Sequence, residues 1–362
     1  MENRYPRLEV NLEHLRHNIK TVVEKCGAQG IQIAGVIKGA TGLPEVAKAY
    51  DEAGAAFIAS SRLEQLQAAK DAGIEKPMML IRIPMLSEVK DVIKITDISL
   101  NSEMEVLKAL NQEAREQGKL HKVILMVDLG DLREGYWDKE ELIDTCEYIE
   151  NKMINIQLVG IGTNLGCYGS ILPTVDKMEE IAALAEAIEE RLGRELEYVS
   201  GGATTSLLRV WDKDMPEKIN LLRVGEGILT ALDLDRFFNY DMSELYQDVF
   251  KLKAEVIEVK NKPTYPQGTI TIDAFGQTPE YHDRGIRRRA LLGVGKVDYG
   301  HWEDLISCEE GIEVIGASSD HTIVDVEDAV KDYKVGDIME FNICYATLVY
   351  VTASDNVNIV YV

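Results

Sequence analysis

Lys38 stands in Gly35-Val36-Ile37-Lys38-Gly39-Ala40-Thr41-Gly42, directly after an apolar run from Ile31 to Ile37. Flanked by glycines, that run reads as a buried strand. A lysine at the end of such a strand is expensive, because taking an ammonium out of water costs free energy. The expense makes sense if the amine is held uncharged or used covalently, and amines in such places form Schiff bases with carbonyl groups. Four further segments carry reactive or polar side chains where apolar runs end. They are Asp128-Leu129-Gly130-Asp131-Leu132-Arg133-Glu134-Gly135, Gly162-Thr163-Asn164, Ser200-Gly201-Gly202-Ala203-Thr204-Thr205-Ser206 and Arg223-Val224-Gly225-Glu226-Gly227. Each has a bland reading on its own: a snorkelling lysine, an ordinary glycine turn, an arginine in a surface ion pair or a solvated loop. Their recurrence at strand ends is much harder to obtain by chance.

The elements that must position them alternate. Eight apolar runs, Ile31–Ile37, Ala55–Ala59, Pro77–Ile83, Asp97–Leu100, Val123–Leu129, Ile156–Thr163, Leu196–Val199 and Ile219–Val224, are mostly followed by helical patterns such as Glu45–Glu52, Leu63–Asp71, Glu103–Gln117, Lys139–Asn151 and Pro173–Leu192. A helix over Leu12–Cys26 precedes them. Eight strand–helix units in a row predict a parallel (β/α)8 TIM barrel over residues 1–240. Chemistry in such barrels sits at the C-terminal ends of the strands. The loops after strands seven and eight are rich in glycine and hydroxyls, where many barrels hold a phosphate. A lysine ending the first strand and facing a phosphate site points to a phosphorylated aldehyde, pyridoxal 5'-phosphate. Beyond residue 240 turn residues, not long helices, separate the apolar runs. Val249–Lys260, Gly268–Ile272, Arg289–Val294, Ile312–Ala317, Thr322–Val326, Asp337–Ile343, Leu348–Ala353 and Val357–Val362 predict an antiparallel β domain over 241–362.

Composition narrows the partners. Sixty-two acidic against 39 basic residues give a formal charge of -23, which repels nucleic acid and anionic membranes. No apolar run is long enough to span a bilayer, and the opening Met1-Glu2-Asn3-Arg4-Tyr5-Pro6 leads into no apolar signal core. The five cysteines are scattered, with no C-x-x-C, so neither a disulfide framework nor a zinc ribbon is expected. A small-molecule substrate and a cytoplasmic location are the default expectations.

With these segments in view, the chain resembles the alanine racemase family of fold-type III pyridoxal-phosphate enzymes over nearly its whole length. Leu8 through Asn18 resembles the family's opening strand and helix, and Gly35–Lys38 its cofactor-lysine segment. The resemblance implies that Arg133 is the active-site arginine of the Asp128–Gly135 segment, there to hold the substrate carboxylate or orient the cofactor. It implies that Arg223 faces the pyridine nitrogen and that Ala203-Thr204 is the phosphate-binding pair. Ser200, Asn164, Gly225, Glu226 and Tyr345 join them as cofactor contacts. Gly316-Ala317-Ser318-Ser319-Asp320 resembles the segment that reaches the partner's active site, which makes Ser319 and Asp320 substrate contacts and the molecule a homodimer, with the first residues of the chain paired to the β domain. Within the family, Gly316–His321 and Val199–Gly202 look most like the ornithine racemase branch. Three positions depart from the family pattern. No tyrosine follows the cofactor lysine, Asn164 stands where a histidine is common, and Gly293-Val294-Gly295 is followed by Lys296 instead of tyrosine.

The expected chemistry is two-base racemisation, with Lys38 serving one face of the α-carbon and Lys296 or Tyr299 the other, His321 standing behind them. Lys296 has a bland reading as the ion-pair partner of Asp298, and Tyr299 as a loop residue. A second ammonium on ornithine or lysine needs an anion, for which Glu226, Asp320 and Asp298 are candidates. Other readings are racemisation of alanine or another amino acid, a fold-type III D-amino-acid dehydratase or aldolase, a non-catalytic pyridoxal-phosphate protein, and a barrel binding a sugar phosphate. The dehydratase reading wants a metal held by a close His/Cys pair; His321 and Cys344 are separate and no His-x-Cys occurs, so no metal is expected.

Overall fold

The structure is a computed structural model that describes residues 4–362; Met1-Glu2-Asn3, the start of the segment read as lacking a signal core, lie outside the described residues. It divides into two compact units. Glu13–Tyr246 form one, and the described residues up to Leu12 with Gln247–Val362 form the other.

The first unit is the expected barrel. Strands β2 (Gln32–Val36), β3 (Phe57–Ser60), β4 (Met78–Leu80), β5 (Ile98–Asn101), β6 (His121–Met126), β7 (Ile156–Gly162), β8 (Tyr198–Ser200) and β9 (Leu221–Val224) close on themselves, all parallel. The helices are α1 (Leu12–Gly27), α2 (Pro44–Glu52), α3 (Leu63–Asp71), α4 (Val89–Ile95), α5 (Met104–Glu116), α6 (Lys139–Lys152), α7 (Val175–Leu192), α8 (Leu207–Asp212), α9 (Glu226–Leu229) and α10 (Asp233–Phe238). Sequence periodicity had given no sign of α4 or α8, which are only two turns or less. Alternate strand residues, including Ala34, Val36, Phe57, Met79, Leu100, Ile124, Met126 and Leu221, fill the interior, so the barrel is a packed core and not a pore. Gly160 on β7 lets neighbouring backbones close up, since a Cβ there would stand 2.1 Å from the Tyr198 carbonyl oxygen. Asn18 on α1 ties that helix to the unit, donating to the Ile228 and Tyr246 carbonyls and accepting from the Tyr246 amide.

The second unit is an antiparallel sheet built on one long strand. Strand β1 (Arg7–Val10) pairs with the first half of β10 (Phe250–Pro263), whose other edge carries β15 (Ile338–Ile343). The second half of β10 pairs with β11 (Ile286–Leu292), and the sheet runs on through β14 (Thr322–Asp325) to β13 (Glu313–Ala317). Strand β12 (Leu305–Ser307) borders β15, and β16 (Asn358–Tyr361) lies parallel to β1. Lys253 on β10 bridges Glu9 on β1 and Glu340 on β15 at 2.8 and 2.7 Å. Two short helices, α11 (Lys296–Tyr299) and α12 (Tyr345–Val351), complete the unit.

Two expected strands are corrected. Gly268–Ile272 has β-branched residues but no sheet edge beside it, and Ile272 is 67% exposed, so nothing drives pairing. Leu348–Ala353 falls in and after α12, where Thr347, Leu348 and Val351 are buried on one helical face. Burial at that spacing outweighs the strand preference of its valines and tyrosines.

Candidate active site

Lys38 opens a single 3-10 turn, Lys38–Ala40, at the C-terminal end of β2. Burial, followed by the guanidinium of Arg133, pushes its amine below the ordinary lysine value; Cys167 and Glu134 pull it back and Arg223 lowers it again. More of the amine is thereby neutral near pH 7, as a nucleophile or a base requires.

Arg223 on β9 points into the same mouth and is 4% exposed. Its Nη1 donates to Ser200 Oγ at the end of β8, and its Nη2 donates to the Thr163 carbonyl after β7 at 2.8 Å. Burial lowers its pKa to about 10, which still leaves it charged at neutral pH. Beside it the hydroxyl of Thr163 and the side-chain amide nitrogen of Asn164 are buried without a hydrogen-bond partner.

The loops after β8 and β9 back one another. The Gly227 amide donates to Thr204 Oγ1 at 3.0 Å, and Ser206 Oγ donates to the Gly201 carbonyl at 2.7 Å. Gly202 holds φ at +118°, in the region that favours glycine, and a Cβ there would stand 2.7 Å from Ser206 Oγ. Ala203 and Gly225 have no polar side chain, so they offer backbone alone. Glu226 keeps one buried carboxylate oxygen, Oε2, without a hydrogen-bond partner. Its Oε1 accepts from Thr230 Oγ1 and from the amides of Leu232 and Asp233, all within its own turn, and burial raises its pKa.

Arg133 lies in the loop after β6. It pairs with both oxygens of Glu134, and its Nη1 donates to Cys167 Sγ at 3.0 Å. Two aspartates hold this loop in shape. Asp128 accepts from the amides of Gly130 and Leu132 at 2.8 and 3.1 Å. Asp131, 1% exposed, accepts from the amides of Cys167, Tyr168 and Ile171 at 3.3, 3.1 and 3.3 Å, so it locks the loop after β7 to the loop after β6. Sequence reasoning missed Asp131 and Cys167, because nothing in their local spacing betrays the contact.

The remaining expected residues belong to the β unit. Tyr299 is fully buried, shares a 2.6 Å hydrogen bond with Thr322 Oγ1, and has its pKa raised by burial. Its hydroxyl is thus engaged within its own unit. Lys296 does not pair with Asp298. That aspartate is buried and accepts from the Gly295 amide, Ser354 and Asn356, so it is also closed to a substrate ammonium. Lys296 Nζ instead lies 3.9 Å from Asp273 Oδ2 and 4.3 Å from the centroid of the Phe275 ring. The turn carrying Ser319 and Asp320 packs against α11, with the Lys296 and Val297 amides donating to the Ser318 and Ser319 carbonyls at 2.9 and 3.1 Å. Ser319 donates to Asp320 Oδ2, His321 Nδ1 lies 3.4 Å from Ser318 Oγ, and Tyr345 is half-buried at the start of α12. Among the described residues, no three His, Cys, Asp or Glu side chains gather as metal ligands.

Comparison with known proteins agrees with this geometry. Residues 10–232 match the family model described as alanine racemase, N-terminal domain. The chain is 41% identical to an ornithine racemase of Acetoanaerobium sticklandii across 95% of its own length and 96% of that protein's. It is 40% identical to a lysine racemase of Thermotoga maritima across 99% and 98% of the two chains. Among solved structures, an alanine racemase from a D-cycloserine-producing Streptomyces lavendulae superposes with a TM-score of 0.74 at 16% identity, covering 99% of this chain and 98% of that one. A D-threonine aldolase from Filomicrobium marinum superposes with a TM-score of 0.73 at 12% identity over 96% and 88%, so the fold alone is shared there.

The cofactor of this family is pyridoxal 5'-phosphate, and the barrel mouth fits it. Lys38 offers an amine, Arg223 a buried positive charge, and the glycine loops at Gly202 and Gly225 a close backbone approach for a phosphate. The unpartnered Thr163 hydroxyl and Asn164 amide are the kind of buried donors that a bound polar group would satisfy. By its fold, its barrel-mouth residues and its relatives, the chain belongs to the alanine racemase family of pyridoxal-phosphate racemases.

Proposed function

We propose that this chain racemises a basic amino acid, with ornithine as the first choice and lysine as the second. The observation that carries the reading is identity of 41% and 40%, over nearly full length, to an ornithine racemase and a lysine racemase. Bound at the barrel mouth, the cofactor makes the α-proton of an attached amino acid acidic. Lys38, biased towards its neutral form, takes or returns that proton on one face. Lys296 of a second copy does the same on the other, because it keeps a side-chain nitrogen at the surface of its unit where Tyr299 does not. One proton leaves and another arrives at the α-carbon, so the centre inverts with no net change in composition or oxidation state. Arg223, held on Ser200 and Thr163, is a donor that keeps its own proton and leaves the ring nitrogen unprotonated. Arg133 stands ready for the substrate carboxylate.

This division of labour calls for a homodimer in which each β unit completes the other subunit's site. Five free cysteines, and the absence among the described residues of a helix able to cross a membrane, fit a cytoplasmic enzyme. Incubating the protein with a panel of L-amino acids, followed by chiral separation, tests the reading. D-ornithine or D-lysine should form, and a Lys38→Ala variant should lose both turnover and the visible absorbance of lysine-bound cofactor. Activity confined to alanine or serine, or full activity in the variant, counts against it.

A further inference from the structure

The β unit holds a feature that proton transfer does not need. Strands β10 and β11 pair as far as Pro263 and Ile286, and residues 264–285 then form a long excursion where an ordinary hairpin uses two to five residues. Excursions of this length are uncommon inside compact units and are usually either functional or linker segments. Its base is stapled. The Thr264 amide donates to the Gly285 carbonyl at 2.9 Å, and Thr264 Oγ1 accepts from the Arg284 amide at 2.6 Å. Its tip is shaped by Asp273, whose Oδ1 accepts from the amides of Phe275 and Gln277, both at 2.8 Å.

That arrangement leaves Asp273 Oδ2 turned towards Lys296. The ammonium of Lys296 is 3.9 Å from this oxygen and 4.3 Å from the Phe275 centroid, so a carboxylate and an aromatic face already cradle an alkylammonium. The contact to Asp273 is an ångström longer than a direct charge-assisted hydrogen bond, so the oxygen retains capacity for a closer donor. Between the excursion and β13 lies an open cleft of about 1020 Å³, lined by Asp273 and Lys296 among others, which is ample for an amino-acid side chain. The end of an ornithine or lysine side chain is chemically the same group that the cradle already holds.

We infer that Asp273, with the ring of Phe275, receives the second ammonium of a dibasic substrate and so sets the preference for substrates that carry one. The inference rests on the reading of Lys296 as the proton-transfer lysine facing the α-carbon. Recognition and proton transfer would then share one corner of the β unit. A substrate lacking the distal amine would leave Asp273 with nothing to pair but Lys296.

L-Norvaline tests this, because it has the carbon skeleton of ornithine without the distal amine. The holoenzyme and its Asp273→Asn, Asp273→Glu and Phe275→Leu variants are compared on L-ornithine and L-norvaline. Norvaline is followed by its inhibition constant as well as by turnover, so binding is read even where turnover is slow. Asp273→Asn should raise KM for ornithine ~10-fold or more while norvaline binding changes less than ~3-fold, and Asp273→Glu should recover part of the loss. Phe275→Leu should weaken ornithine selectively but less. Equal effects on both substrates, or none, overturn the inference and leave the racemase reading intact. A wild-type enzyme that racemises only amino acids without a second amine overturns both.

Discussion

Three cationic side chains converge on the barrel mouth, and they do not share the strain equally. Arg133 pairs directly with Glu134, whereas Arg223 hydrogen-bonds to the neutral oxygens of Ser200 and Thr163 and feels the Glu134 carboxylate only through space. Burial brings Arg223 down to about 10 and still leaves it charged at neutral pH, while burial and Arg133 together lower the amine of Lys38. Anything that loosens Arg133 should therefore be felt at Lys38. Asp131→Ala removes the acceptor of three backbone amides and frees the loop that sets Cys167 against Arg133. We expect kcat/KM to fall ~10–100-fold with the circular dichroism unchanged. Cys167, measured in a Cys308→Ser background, should react faster with a thiol reagent, and unaltered kinetics and thiol reactivity would show that the loop needs no such tie. Lys38 and Arg223 were legible in the sequence because a charge at the end of a buried strand is costly enough to demand a reason. Asp131 was not, because its partners are backbone amides brought near by folding, and they leave no mark in residue type. The burial of Tyr299 was not legible for a related reason: sequence nearness to a glycine turn says nothing about which way a phenol points.

At the scale of elements, the eight runs that became barrel strands were legible because both faces of a parallel strand are covered, which writes an unbroken apolar run into the chain. The β unit was read less well. Strand β12 has only three residues and no run to detect, and α12 is built from residues that prefer strands. The barrel also carries a polar exception. On β5, Ser99 accepts a 3.0 Å hydrogen bond from Asn101, which leaves its own proton for His121 Nε2 on β6 at 2.8 Å. Burial, then Lys119, pushes His121 from its ordinary 6.5 down to about 4. The folded chain thus keeps this ring neutral where the unfolded chain protonates it. Stability attributable to His121 is complete above about pH 6.5 and declines as pH falls towards 4, by up to about 1.4 kcal/mol per pH unit. Denaturant titrations across that window should show a shallower pH dependence for His121→Gln than for the wild type. Parallel curves would mean that the ring accepts a proton within the fold.

For the whole molecule, the barrel unit is an insertion within the β unit, since residues up to Leu12 and those from Gln247 onward belong together. Residues 13–246 expressed alone should unfold cooperatively on heating. Residues 247–362 alone should not, until a peptide carrying Arg7–Val10 is supplied, because β1 fills the gap between β10 and β16. A cooperative transition in the isolated 247–362 fragment would show that β1 is dispensable. The same placement of β1 imposes a schedule on synthesis. Leu8 and Val10 are fully buried in the finished sheet, yet their partner β10 leaves the ribosome ~240 residues later, roughly 10 to 50 s at ordinary elongation rates. Throughout that interval the barrel strands can close one after another while β1 waits with both edges bare, and it is matched with β16 only after the rest of its sheet has been made. A ribosome that stalls inside the barrel releases a chain whose leading strand is still open. Chaperones and proteases can read that edge as the mark of an unfinished molecule.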